Sequence, residues 1–216
     1  ITRTPEVTWG DIKAQVNTNT YGLSKFAELF GKYSVDTVLA CWSSWMDICE
    51  AELRKEIAKV PDGLYGPETD HLDDDGVELA KPHRISASLR VEGDTLHFIL
   101  DSDAQARGPI NLRPCVSRNF IECLVKMIFI PGLPVNDGLS RPVRVSYPPE
   151  GSLLNPRFHA PVNMYVRPSQ VTTSVIMRVL AQAVPGHVPA PGSAAGGSLS
   201  SAGRHPKSGR WYSQYE

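Results

Sequence analysis

The sequence predicts an α+β fold in which an antiparallel sheet is covered on one side by packed helices. Three observations carry this. Apolar residues recur with a helical period through roughly the first sixty positions, the period drops to two between residues 64 and 100, and helical spacing then returns twice. Strands with one apolar and one wet face need a cover on the apolar side, and the helices supply it.

Residues 9 to 31 read as the first helix. Thr8 and Asp11 form a candidate capping pair, and Ile12, Val16, Leu23, Phe26, Ala27 and Phe30 keep to one face. Ser34 is the expected N-cap of a stronger second helix. Its stripe of Val35, Val38, Leu39, Trp42, Trp45, Met46, Cys49, Leu53 and Ile57 runs on toward Pro61 and is expected to face the core. The two make a helical hairpin over residues 1–61, ahead of mixed sheet and helices over 62–216.

A strand is expected over residues 64 to 72. A hairpin follows: Ile85, Ala87, Leu89 and Val91 alternate with polar residues, Glu92-Gly93-Asp94 turns, and Leu96, Phe98 and Leu100 return. The third helix, about 113 to 129, turns Val116, Phe120, Leu124 and Ile128 inward. A short strand covers 142 to 147 and ends at Pro148-Pro149. The fourth helix begins near Pro168-Ser169, uses Val171, Val175, Ile176, Val179 and Leu180, and stops before Pro185-Gly186. Residues 185 to 210, rich in Pro, Gly, Ser and Ala, read either as a flexible linker or as a loop into a strand carrying Trp211, Tyr212 and Tyr215.

Composition narrows the function classes. With 22 basic and 23 acidic residues in 216, the net charge of -1 leaves no electrostatic footprint for nucleic acid or an anionic membrane. The longest apolar run, Met127-Ile128-Phe129-Ile130, is far short of the roughly 18 to 20 residues a bilayer crossing needs. Cys41 and Cys49, and Cys115 and Cys123, are spaced eight apart on helices. That is too far for a disulfide within each pair and wrong for a zinc knuckle, so free thiols in a cytoplasmic core are expected.

Chemistry concentrates at the junction Asp101-Ser102-Asp103-Ala104-Gln105-Ala106-Arg107-Gly108-Pro109-Ile110-Asn111, which closes the hairpin and opens the third helix. Polar and φ-restricted residues replace the apolar period there, the way loops on rigid scaffolds build sites. Arg107 and Asn111 are the leading substrate-binding candidates, a planar cation and a carboxamide suited to a carbonyl, carboxylate or phosphate. The competing reading bridges Arg107 to Asp101 or Asp103 and makes Asn111 a helix cap. Asn155, a third candidate, fits a turn between Leu154 and Pro156 better than a substrate contact.

Asp73-Asp74-Asp75-Gly76 misses EF-hand spacing and reads as a solvated acidic turn. None of the six histidines sits one helical turn from another, so no metal ligand is assigned. The run Gly192-Ser193-Ala194-Ala195-Gly196-Gly197-Ser198 could cradle an anion but lacks the Lys-Ser or Lys-Thr ending of a P-loop, so ATP binding by this segment is not expected.

Four strings in order, Gly10-Asp11-Ile12-Lys13-Ala14-Gln15, Leu72-Asp73-Asp74-Asp75-Gly76, Arg107-Gly108-Pro109-Ile110-Asn111 and Pro149-Glu150-Gly151-Ser152-Leu153-Leu154-Asn155-Pro156, make the chain resemble the hydantoinase B / 5-oxoprolinase family over nearly its whole length. That group includes the large subunits of acetone and acetophenone carboxylases. The resemblance implies that the chain is the central fragment of a larger multi-segment subunit, cut at both ends. It implies an ATP-dependent hydrolase that opens a cyclic amide such as a hydantoin or 5-oxoproline, using ATP with Mg and a catalytic divalent metal, Zn or Mn, held by His and Asp of an amino-terminal segment. The nucleotide would belong to a hydantoinase A type subunit or fused half, which activates the small-molecule substrate by phosphorylation. Two departures keep the reaction open. Val162-Asn163-Met164-Tyr165-Val166-Arg167-Pro168-Ser169 stands where hydantoinase-type members have Gly-Asn-Val-Glu-Thr-Ser, and Gly196-Gly197 where an Asn pair is usual. An ATP-dependent carboxylase and a non-catalytic docking segment are the alternatives.

Overall fold

The computed structural model describes residues 5–192 and 200–215. Four helices and six strands follow in order: α1 (Pro5–Tyr33), α2 (Val35–Ile57), β1 (Gly63–Leu72), β2 (His83–Glu92), β3 (Thr95–Ser102), α3 (Pro114–Phe129), β4 (Val143–Ser146), α4 (Val166–Ala183), β5 (Ser200–Arg204) and β6 (Trp211–Tyr215). A short 3-10 helix, Asp137–Ser140, precedes β4.

The main sheet has the order β1-β2-β3-β4. Its first three strands are antiparallel, as the alternation requires, with Leu89 opposite Phe98 and Ala87 opposite Leu100. β4 departs from the expected antiparallel pattern by pairing parallel to β3, Phe98 against Val145. The long connection through α3 is what lets the chain return in the same direction. Ile85, Ala87, Leu89, Val91, Leu96 and Phe98 are buried on one face, while Arg84, Arg90, Asp101 and Arg144 line the other. β5 and β6 form a separate two-stranded sheet, so the stretch around residues 200 to 215 holds a hairpin rather than a continuous linker.

α4 packs on the sheet with Val171, Val175, Ile176, Val179 and Leu180 inward, the face that the spacing predicts. It starts at Val166, which leaves Pro168 in the first turn, where a missing N–H costs nothing. Gln182 ties its last turn to β1 by accepting from the Gly66 N–H at 2.9 Å. In α3 the inward face lies one residue on from the expected one. Ser117, Ile121 and Val125 are buried, while Val116, Leu124 and Ile128 flank them half-buried. Ser117 sits at the centre because its hydroxyl donates to the Pro114 carbonyl at 3.1 Å, a local bond that removes the usual cost of burying it.

The helical hairpin departs most from expectation. Helix α1 begins at Pro5, so Thr8 and Asp11 lie inside it rather than capping it, and it has no buried residue. In α2, Ser34 caps as expected by accepting from the Thr37 N–H. The second half of the stripe enters the main core, with Cys49, Leu53 and Ile57 fully buried; in the first half Val38 is buried outside that cluster, while Trp45 is 45% and Trp42 42% exposed. The cause is where α2 meets the rest of the chain. Its later turns lie on the 3-10 segment, with Asn136 reaching the Trp45 carbonyl and the Cys49 thiol, and Gly138 so close that a Cβ there would stand 2.1 Å from the Met46 carbonyl oxygen. Arg141 adds ion pairs to Asp47 and Glu50 at 2.7 and 2.8 Å, and with Arg54 it holds the Glu50 carboxyl below its usual range. The earlier turns extend past this contact beside α1, where Phe26 and Phe30 meet Trp42 edge to face. All four cysteines are free, and of these Cys49 alone is buried.

Candidate functional site

The junction after β3 is organised by two buried polar side chains. Asp75 was expected in a solvated turn but is only 2% exposed. Its Oδ1 accepts from the N–H groups of Val77 and Glu78 at 2.9 and 2.6 Å, and its Oδ2 accepts from the Gly108 N–H at 2.8 Å. The Glu78 and Gly108 amides, then that of Val77 and the charge of His83, hold its carboxyl far below the ordinary range against the opposing effect of burial. Gly108 is required at this approach. A Cβ at residue 108 would stand 1.8 Å from the Asp75 carbonyl oxygen.

Asn111 is the second organiser, and it is fully buried. Its Oδ1 accepts from the Ala106 N–H at 2.8 Å, and its Nδ2 faces the carbonyls of Ala106, Gly108 and Pro161 at 3.0, 3.2 and 2.9 Å. Both polar atoms of the carboxamide are bonded to main chain. It is not the cap of α3, whose N-cap is Arg113 without a side-chain bond. Asn155 likewise shapes a turn, donating to the Pro148 carbonyl at 3.0 Å while its own carbonyl accepts from Gly151.

Arg107 stands differently. Asp101 and Asp103, the partners considered for it, pair instead with Arg84, at 2.6 and 3.6 Å. The Arg107 side chain is 73% exposed, with Glu78 at 3.9 Å. A guanidinium held on a rigid loop in this way can meet an anionic or carbonyl group at low desolvation cost. Near this junction a cleft of about 480 Å³ is lined by His71, Asp73, Asp74, Ile110, Arg167 and Val171. It carries both signs of charge.

A second cavity, of about 420 Å³, lies between α3 and α4 and has mostly apolar walls, among them Phe120, Val166 and Met177. Sequence reasoning missed it, because Gln170 and Thr173 sit between core positions of α4 without a motif. Among the described residues no group of three or more His, Cys, Asp or Glu side chains is placed to hold a metal ion. The residues in hand therefore do not fit the catalytic metal that the family resemblance implies. No helix among the described residues is long and apolar enough to cross a membrane. The glycine-rich run from residue 193 lies outside the described residues.

This arrangement, a one-faced sheet with its polar junction and flanking helices, is that of the hydantoinase B/oxoprolinase family, to which the chain belongs: the family model matches residues 1–216. Over 200 residues the chain is 32% identical to one of the subunits of a putative D-/L-hydantoinase of Pseudomonas sp. (strain NS671), covering 87% of this chain and 33% of that one. It is also 32% identical over 199 residues to the beta chain of the caprolactamase of Pseudomonas jessenii, covering 92% of this chain and 34% of the relative. The crystal structure of the ATP-dependent caprolactamase from Pseudomonas jessenii superposes with a TM-score of 0.86 at 30% identity, over 96% of this chain and 36% of that one. A nucleotide-free acetone carboxylase structure shares the fold, with a TM-score of 0.63 at 16% identity over 77% of this chain and 24% of that one. The chain spans about a third of the length of these two curated relatives.

Proposed function

We propose that this chain is the central segment of a subunit in an ATP-dependent enzyme that opens cyclic amides, supplying scaffold and part of the substrate wall. The observation that carries the reading is the likeness to the caprolactamase structure across 96% of the chain at 30% identity. The hydantoinase and caprolactamase relatives are each named as one component of a larger enzyme, which supports a partner subunit. We take that partner to be a hydantoinase A type protein or fused half that binds ATP with Mg. Resonance makes an amide carbonyl a poor electrophile, and phosphorylation of its oxygen would remove that resonance and provide a leaving group. A catalytic Zn or Mn, if used, would be held by residues outside this segment. Within it, Arg107 is the substrate-facing group we favour, while Asn111 and Asn155 hold the loops beside it.

The test is turnover by the full-length subunit assembled with its ATP-binding partner. Lactams, hydantoins and 5-oxoproline are supplied in one arm, and a ketone with bicarbonate in the other. ATP-dependent ring opening in the first arm is the expected result. Carboxylation in the second arm without ring opening would replace the reading with the carboxylase alternative, and no turnover in either, from an assembled complex, would leave a docking role.

A further inference from the structure

Helix α1 buries none of its residues within this segment, although its sequence is a weak helix former. Gly10, Gly22 and Gly31 interrupt it, and Val16-Asn17-Thr18-Asn19-Thr20 consists of residues with low helix propensity throughout. A helix of that composition draws its stability from the packing of an apolar face. Such a face is present. Positions 9, 12, 16, 19, 23, 26, 30 and 33 step alternately by three and four, and all but Asn19 are aliphatic or aromatic. This seven-residue repeat is the seam along which one helix packs on another, and here it runs for about 36 Å.

Near the hairpin turn the seam meets α2, where Phe26 and Phe30 touch Trp42. Further from the turn, Trp9, Ile12, Val16 and Leu23 are between 45% and 71% exposed. With the outer sides of Phe26 and Tyr33, the stripe presents roughly 600 Å² of apolar surface, the upper end of a monomer's largest patch and close to one side of a standard interface. Gly22 lies on its flank with open space where a Cβ would stand, so a second backbone can come close there.

The length of the polypeptide decides between the possible covers. Helix α1 belongs to the shared fold: the family model takes in residues 1–216, and the caprolactamase superposition, over 96% of this chain, leaves too few residues out to omit a helix of 29. The matched part is 36% of that chain, so most of its polypeptide lies elsewhere. A tethered segment meets the seam at an effective concentration in roughly the millimolar range, an advantage that a second copy or a separate subunit lacks. The charges of α1 also balance, Glu6, Asp11 and Glu28 against Lys13, Lys25 and Lys32, and so do not steer a charged partner to it.

We propose that the α1 seam is an internal docking face, covered by an amphipathic helix from the part of the same subunit that lies outside this segment. The covering helix sets its apolar side chains between Trp9, Ile12, Val16 and Leu23 and comes closest at Gly22. The inference rests on the central-segment reading above and is independent of the reaction proposed there.

The test is hydrogen exchange read by mass spectrometry on the full-length subunit, first alone and then assembled with its ATP-binding partner. In the subunit alone, amides of residues 9–24 are expected to exchange about a hundredfold or more slowly than in Ile12→Asp, equally at low and high protein concentration. Amides of α4 should keep their protection in that variant. Gly22→Ala should lower the melting temperature, because its methyl enters a packed seam. In an uncovered helix the same change would raise it, alanine being the better helix former. This second variant carries the test if Ile12→Asp does not fold. Protection that appears only with the partner, grows with protein concentration or is absent throughout overturns the proposal, giving the face to the partner subunit, a second copy or solvent respectively. Turnover is scored separately, so a failure of the proposed reaction leaves the docking face standing, and lost protection in an active enzyme sinks the docking face alone.

Discussion

The junction around Gly108 and the middle turns of α4 bury polar side chains in opposite ways. At the junction the oxygens of Asp75 and the carboxamide of Asn111 are all taken by main-chain groups. On α4 the buried Gln170 Oε1 and Thr173 Oγ1 have no hydrogen-bond partner. A paired buried group fixes what surrounds it, while an unpaired one weakens the fold until something meets it. The more chemical-looking sequence, Arg107-Gly108-Pro109-Ile110-Asn111, is thus largely architecture. The unremarked turn of α4 holds two of the buried atoms left unpaired, and His83 Nε2 on β2 is another.

The contrast breaks most readily at Gly108. Gly108→Ala forces a methyl into the Asp75 backbone, and unfolding by denaturant should show a loss of about 3 kcal/mol or more. Gly132, with nothing near its missing Cβ, is the control, and its change to Ala should stay within about 0.5 kcal/mol. A mild effect at residue 108 would mean that the two loops separate easily and that the clamp holds little. Next comes Asn111→Ala, which strands the main-chain groups of residues 106, 108 and 161 in the interior and should cost about 2 to 3 kcal/mol by the same measurement.

Asp75 adds a pH dependence. Its carboxyl in the folded chain lies below the ordinary value of 3.8, so the unfolded chain binds the proton more readily. The stabilisation is therefore complete above about pH 4 and is lost as pH falls below it. Melting curves of wild type and Asp75→Asn should differ most at neutral pH and converge as pH falls from about 5 to 2. A constant gap would show that the charge plays no part in the clamp.

What the sequence made legible follows from locality. The hairpin strands, the Ser34 cap and the inward face of α4 depend on near neighbours, and periodicity finds them. Asp75 and Gly108 are 33 residues apart, and neither residue type discloses the bond between them. Arg84 took the aspartates expected for Arg107 because β2 lies beside β3, a register that pattern alone leaves open. Gln170 escaped notice because an unpaired atom is defined by what is missing around it in space.

The same limit explains Trp45, whose spacing matches the core but whose place along α2 lies beyond it. Trp45→Ala should cost about 1 kcal/mol, well under the roughly 3 to 5 of a fully buried ring, as the 45% exposure implies. A larger loss would place the ring in a packed interface that α1 completes.

The smallest effect on stability is expected at Arg107, where the effect on chemistry should be largest for its size. Its pairing with Glu78 at 3.9 Å is solvent-screened, so Arg107→Lys should move folding free energy by less than about 0.5 kcal/mol. If the guanidinium meets charge developing on the activated amide, lysine keeps the charge but loses the planar fork, and kcat in the assembled enzyme should fall about tenfold. The junction then divides cleanly, with Asp75, Gly108 and Asn111 building a rigid loop and Arg107 standing on it facing outward. Unchanged turnover together with unchanged melting would leave Arg107 as an ordinary surface cation.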